Sequence, residues 1–327
     1  MVIDLGPWGL DVRPADAIGS VRGALGRVVR VDRGECDVIT AGGLVRVLSD
    51  SVRAQDEVAP VTGDWVDVDE EEGLGPVIRE ILPRTTRVSR RDPAEKDREQ
   101  VLASNVELVA VVHGLDRPLP PGRLERLLVM AHDSGAEPLV VLTKADEAGP
   151  GDDTVEVVRS VVGSGVPVVL TSTVDGSGLE ELAGRIGTGR TLALVGASGT
   201  GKSSLVNALV GEERLEVGEV RDRDAKGRHT TTARQLVKLA DDGGLVLDTP
   251  GIRAIGLWEA EHALDVVFGD LQDRAAGCRF GDCSHRREPG CEVQAAVDDG
   301  EVDARRVERY LGLIDELAAQ RTREEER

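Results

Sequence analysis

The segment Gly196-Ala197-Ser198-Gly199-Thr200-Gly201-Lys202-Ser203 constrains this chain more than any other. It follows the apolar run Leu192–Val195 and opens a stretch, Ser203 to Leu209, suited to a helix. Glycines in such a loop let backbone amides curl around an anion at a helix N-terminus, where the helix dipole favours negative charge. Lys202 is then expected to span the β- and γ-phosphate oxygens of a nucleoside triphosphate. Ser203 is expected to ligate Mg2+, with Ser204 beside it in the nucleotide-binding set. A Gly-rich structural turn is the plainer alternative, but the strand-loop-helix context favours phosphate binding.

Other segments gain meaning from their order around this loop. Asp248-Thr249-Pro250-Gly251 ends the next apolar run, Leu245–Leu247. There Asp248 suits a residue that holds Mg2+ through water, and the Gly251 amide suits a sensor of the γ-phosphate. Between the two lies Gly227-Arg228-His229-Thr230-Thr231-Thr232, and one of Thr230, Thr231 and Thr232 is expected to complete the Mg2+ shell. Thr143-Lys144-Ala145-Asp146 follows a third apolar run, Pro138–Leu142. Asp146 could accept two hydrogen bonds from guanine and reject adenine, which would leave the acceptors unpaired. Lys144 would lay its stem across the base, and Ser172-Thr173, one strand later, would offer a backbone amide to guanine O6. In an ordinary GTPase the phosphate loop leads and the base reader follows. Here the base reader comes first, so the chain reads as a circularly permuted GTPase domain.

The flanking regions differ in texture. Gly26–Val31, Cys36–Ile39, Leu44–Leu48, Trp65–Val68 and Pro76–Ile81 each suit a strand, and an OB-fold is the commonest small barrel of that size. The acidic run Asp69 to Gly73 is expected to be its hairpin loop. From about residue 105, short continuous apolar runs with helical stretches between them predict a doubly wound α/β layer with ligands at the strands' carboxyl ends. Cys278, Cys283, His285 and Cys291 form C-x4-C-x-H-x5-C, which suits one closed structural Zn2+ site. A helix around Val302 to Ala319 and a frayed charged tail, Arg321 to Arg327, complete the expectation. The domains are therefore read as 1–92 barrel, 93–265 permuted GTPase and 266–327 zinc module.

Composition excludes less than the motifs establish. No apolar run is long enough to predict a membrane helix, the first residues show no signal-peptide pattern, and the clustered cysteines suit a reducing, cytoplasmic setting. A formal charge of −20 argues against non-specific RNA binding, yet Arg84, Arg87, Arg90 and Arg91 lie close together with no acid among them. They are candidate RNA contacts, with a solvated loop face as the alternative.

The ensemble resembles the bacterial ribosome small-subunit-dependent GTPase A family. Gly63-Asp64-Trp65-Val66, Leu82-Pro83-Arg84, Gly227–Thr232, Asp248–Gly251, Cys283-Ser284-His285 and Glu288–Cys291 all look like that family's segments. The resemblance implies an OB-fold that contacts 16S rRNA and GTP hydrolysis stimulated by the 30S subunit. It also implies a role in late 30S maturation by a monomer that cycles between GTP and GDP. Two features depart from it: Thr143 stands where the base reader usually begins with Asn, and the chain is acidic for an RNA binder. Ile252 occupies the place of the water-orienting glutamine of Ras-like enzymes, so slow intrinsic hydrolysis is expected, with His229 the nearby candidate in cis. A P-loop kinase or ATPase, an RNA-binding scaffold and a GTPase of another translation step are the competing readings.

Overall fold

The computed structural model describes residues 2–14, 18, 21–32, 34–48, 59–91, 99–149, 153–162, 165–211, 235–240, 243–248 and 260–325. Five strands come first: β1 (Ala24–Val31), β2 (Glu35–Thr40), β3 (Gly43–Leu48), β4 (Trp65–Glu71) and β5 (Gly75–Ile81). They pair in the order β1-β2-β3-β5-β4, and a β1–β4 ladder closes the ring. Alternate side chains point inward, so Val28, Cys36, Val38, Val47, Val66, Val68 and Ile78 fill the interior. This is the expected OB-type barrel, with Cys36 as a small core residue. The acidic run behaves differently from expectation. β4 continues through Glu71 and pairs Glu71 with Gly75, so only residues 72–74 turn. Arg79 on β5 faces Asp67 and Asp69 across the ladder, which offsets part of the repulsion in extending it.

A two-stranded hairpin of β6 (Arg87–Arg91) and β7 (Glu99–Ser104) straddles residue 92. The α/β layer follows: β8 (Leu108–Gly114), α1 (Pro121–Asp133), β9 (Glu137–Thr143), α2 (Thr154–Val162), β10 (Val168–Leu170), α3 (Leu179–Ile186), β11 (Thr191–Val195), α4 (Lys202–Val210), β12 (Gln235–Lys238) and β13 (Leu245–Asp248). Its sheet order is β10-β9-β8-β11-β13-β12, parallel except for β12. The apolar runs are continuous because both faces are covered. Leu108, Ala110 and Val112 of β8 pack with α3 and α4, while Val109 and Val111 pack with α1 and α2. β12 also pairs with β1 through Arg30 and Gln235, so one sheet runs from the α/β layer into the barrel.

Helices α5 (Glu261–Val267), α6 (Gly269–Ala275), α7 (Glu292–Asp298) and α8 (Ala304–Glu325) end the chain. Of the charged tail expected to fray, residues 321–325 continue α8, which runs to Glu325. These helices share a core with α1, and a buried charge fastens them to it. Glu125 is fully buried on α1 and accepts from Arg306 at 2.8 Å and from Arg309 at 2.5 and 3.0 Å. Two guanidiniums on one carboxylate satisfy a charge that would be costly to bury alone. No helix among the described residues is long and apolar enough to cross a membrane.

A second buried charge joins barrel to α/β layer. Arg27 of β1 is 1% exposed. Its guanidinium donates to the carbonyls of Trp8, of Gly63 at 3.4 Å and of Asn105 at 2.8 Å, and to Thr191 Oγ1 at 2.9 Å. It also lies over the Trp65 ring, 5.5 Å from the centroid. Burial pushes its pKa down to about 10, which leaves it charged at neutral pH. Arg27→Met should cost about 3–5 kcal/mol in urea unfolding, because it strands buried acceptors. Arg46→Met removes an arginine with three acidic partners but 42% exposure, and should cost about 1 kcal/mol or less. Equal losses would show that the Arg27 junction does not hold the two layers together.

Candidate functional site

The loop between β11 and α4 adopts the backbone its glycines allow. At Gly196 φ is +150°, and a Cβ there would lie 2.3 Å from the Val112 carbonyl oxygen. Gly201, with φ +82°, caps α4 and starts it beneath the loop. The Lys202 ammonium donates to Gly196 O at 2.8 Å and to Ala197 O at 2.6 Å, so it ties the two limbs of the loop together. Ser203 and Ser204 are exposed in the first turn of α4. Helix N-terminus and ammonium thus meet at one glycine-rich loop, an arrangement suited to a polyphosphate.

The candidate base-reading residues stand beside it at the end of β9. Ser172 Oγ donates to Asp146 Oδ1 at 2.5 Å, which turns one carboxylate oxygen toward the 172–177 loop and orients the other. Lys144 is held in the left-handed region, φ +59°, and its ammonium reaches Asp116 at 2.9 Å. Thr143 is buried, and its hydroxyl donates to Thr200 O at 2.7 Å. Thr143 therefore bonds the strand end that carries Lys144 and Asp146 to the loop before α4.

Three neighbours were not singled out from the sequence. His113 Nε2 lies 3.0 Å from Arg117 O. Since a carbonyl only accepts, that nitrogen carries a proton, and burial pushes the imidazole pKa down. Asp116 accepts from Arg117 at 2.6 and 3.1 Å as well as from Lys144, and Arg117 donates to Gly199 O at 3.3 Å. Their sequence signal was modest: a polar turn at the carboxyl end of a parallel strand, where ligands gather.

At the far end of the chain, the ligand atoms of Cys278, Cys283, His285 and Cys291 all lie within 4.8 Å of one another. Cys278 Sγ and Cys291 Sγ are 3.9 Å apart, and each is 3.6 Å from His285 Nδ1. A tetrahedral ion with sulfur ligands at about 2.3 Å needs edges of roughly 3.8 Å, so the donor set fits Zn2+. Gln294 supports it by donating from its side chain to His285 O at 2.6 Å and from its amide to Cys291 Sγ at 3.5 Å.

The candidate RNA arginines separate. Arg84 is held inside by Asp64, with bonds of 2.7 and 2.8 Å, and serves the barrel. Arg87 is 55% exposed beside Glu99, and Arg90 bonds Gln100. His229, Thr230, Thr231, Thr232, Gly251 and Ile252 lie outside the described residues, as do the side chains of Asp248 and Arg91. The backbone of Asp248 ends β13, the neighbour of β11.

A sequence model of the RsgA GTPase matches residues 81–258. The Small ribosomal subunit biogenesis GTPase RsgA of Streptomyces avermitilis is 44% identical over 312 residues, 94% of this chain and 83% of that protein. The chain belongs to the RsgA GTPase family. Its members are GTP hydrolases, so this chain is a GTPase. The RsgA of Streptomyces coelicolor is 45% identical over 95% of this chain and 86% of its own length. The crystal structure of YjeQ from Thermotoga maritima aligns with a TM-score of 0.67 at 28% identity, covering 90% of this chain and 98% of its own. YloQ, described as a circularly permuted GTPase, aligns at TM-score 0.63 and 24% identity, and supports the permuted fold. Purified without chelator, the chain should carry one zinc per molecule by elemental analysis, and Cys283→Ser should abolish it. Full zinc content in that variant would rule out the four-ligand site.

Proposed function

We propose that this GTPase acts in late maturation of the small ribosomal subunit, and that binding to the 30S subunit and its 16S rRNA stimulates hydrolysis. The observation that carries this reading is similarity over nearly the whole chain to relatives named as small-subunit biogenesis GTPases, coupled to a phosphate loop and base reader that meet in space. The chain works as a monomer in the cytoplasm. Its parts divide the labour as a barrel over 1–92, a permuted GTPase domain over 93–265 and a zinc module over 266–327.

Asp146 accepts from the guanine N1–H and 2-amino groups, Lys144 covers the base, and the loop after β10 faces O6. In that loop the Ser172 amide bonds Ser177 O, and the amides of Val174 and Asp175 bond Ser172 Oγ. The Thr173 amide is then the donor to O6. Gly196 to Gly201, Lys202, Ser203 and Ser204 cradle the phosphates, and the Gly251 amide senses the γ-phosphate. Ser203, Asp248 and one of Thr230, Thr231 and Thr232 hold Mg2+, which neutralises charge on the phosphate oxygens. Zn2+ on Cys278, Cys283, His285 and Cys291 has a structural role.

Ile252 cannot orient water, so the free enzyme is slow, and 30S binding supplies or positions the missing group. His229 is the candidate for that role within this chain. Arg87, Arg90 and Arg91 contact RNA, whereas Arg84 is retained by Asp64.

GTP turnover with 30S subunits should exceed turnover alone or with 50S by an order of magnitude or more, within the range of stimulated GTPases. No difference between the two subunits would remove the 30S assignment. His229→Ala should lower stimulated kcat without loss of 30S binding, and unchanged kcat would clear the histidine. Asp146→Asn exchanges an acceptor for a donor, so it should weaken GDP binding about a hundredfold and favour xanthosine diphosphate. Retained GDP affinity would mean that Asp146 does not read the base.

A further inference from the structure

A short charged bridge runs from the base reader to the phosphate loop along a route that none of the nucleotide motifs includes. Lys144 Nζ donates to Asp116 Oδ2 at 2.9 Å. Arg117 donates to both oxygens of the same carboxylate, at 2.6 and 3.1 Å, and its Nη2 also reaches Gly199 O at 3.3 Å. Asp116 thus sits between the cation that covers the base and the cation that touches the loop around the phosphates.

The turn that carries this pair is held on several sides. Leu115 N donates to Thr143 O at 2.9 Å, and the Leu115 side chain is buried. The protonated Nε2 of His113 faces Arg117 O at 3.0 Å. Gly114 has no side chain to obstruct it: a Cβ there would lie 2.5 Å from Asp116 Oδ1 and 3.4 Å from Lys144 Cδ. The turn is therefore shaped to receive the lysine stem. Arg117, and after it Lys144, hold the Asp116 carboxyl well below the usual carboxylate range, so it is ionised at working pH.

We propose that Asp116 and Arg117 are positioning residues for guanine nucleotide, which set Lys144 over the base in register with the phosphate loop. The inference rests on the assignment of Lys144 to the base site made above. As a surface ion pair the bridge adds little to folding. Its effect lies in binding, because a long flexible side chain already ordered does not have to be immobilised when nucleotide arrives. The contacts concern base and loop rather than the γ-phosphate, so GDP and GTP benefit alike. Such uniform binding changes KM and leaves kcat in place.

The test is GDP affinity by calorimetry on full-length Asp116→Asn and Lys144→Ala, on the double variant, and on Arg117→Ala as a second route to the bridge. GTP KM and kcat, and the melting temperature without nucleotide, are measured on the same samples. Asp116→Asn should weaken GDP binding and raise KM about five- to tenfold, the equivalent of ordering one long side chain, with kcat and melting temperature unchanged. Arg117→Ala should change in the same direction, Asp116→Glu should recover much of the affinity, and the double variant should bind like Lys144→Ala alone. GDP affinity within twofold of wild type in both Asp116→Asn and Arg117→Ala overturns the bridge. So does a loss that adds fully to that of Lys144→Ala, or one that follows a fall in melting temperature. If Lys144→Ala itself binds like wild type, the base-site assignment of Lys144 has failed, and the bridge falls with it.

Discussion

The buried guanidinium of Arg27 is the constraint around which the two layers are arranged. It is one side chain, yet its partners come from the N-terminal turn at Trp8, the barrel at Gly63, the loop after β7 at Asn105 and the start of β11 at Thr191. A charge taken out of water must find acceptors in fixed positions, and here each acceptor belongs to a different part of the chain. The neighbouring polar groups follow the same logic. Asp64 joins Arg84 to Ser104, and Asn105 joins Arg13 to Gly63. Barrel and α/β layer therefore meet through a polar seam that is specific in geometry. β11, anchored at one end by this seam, delivers the phosphate loop at the other.

Local patterns were legible in the sequence because their physics is local. A glycine-rich loop after an apolar strand, a run of barrel strands with period two, and three cysteines with a histidine at close spacing each announce themselves within a few residues. The apolar runs of β8, β9, β11 and β13 identified buried parallel strands for the same reason. What the sequence concealed were charges with structural duties. Arg27 lies in an alternating strand and Glu125 in an amphipathic helix, where a charged residue ordinarily marks the solvent side. Nothing nearby shows that Arg306 and Arg309 meet Glu125 from more than 180 residues away. Arg84 misled in the opposite direction, since a cluster of arginines suggests an outward face and its partner Asp64 stands apart in the chain.

The candidate nucleotide site is marked in the sequence by its motifs, while the contacts that support it come from the fold. Thr143 looked like a loss because it lacks the asparagine amide, yet its hydroxyl makes the bond to Thr200. His113, Asp116 and Arg117 belong to no recurring motif, and only the fold brings their turn against both Lys144 and Gly199. The sheet places the strand ends side by side, so segments far apart in the chain, at Thr143 and Thr200, meet at one edge of it.

The clasp at Glu125 has a mechanical corollary. α1 begins a few residues after Arg117, and its buried carboxylate grips the first turns of α8. α8 has 22 residues, hence a length of about 33 Å. The clasp is not its only fastening: farther along, Arg126 of α1 bonds Glu316 at 2.6 and 2.8 Å, and Arg321 pairs with Glu261 of α5 at 2.6 Å. A helix riveted at several points moves with its neighbours as one body, so a displacement of α1 would be handed on to α8 at its own size rather than enlarged.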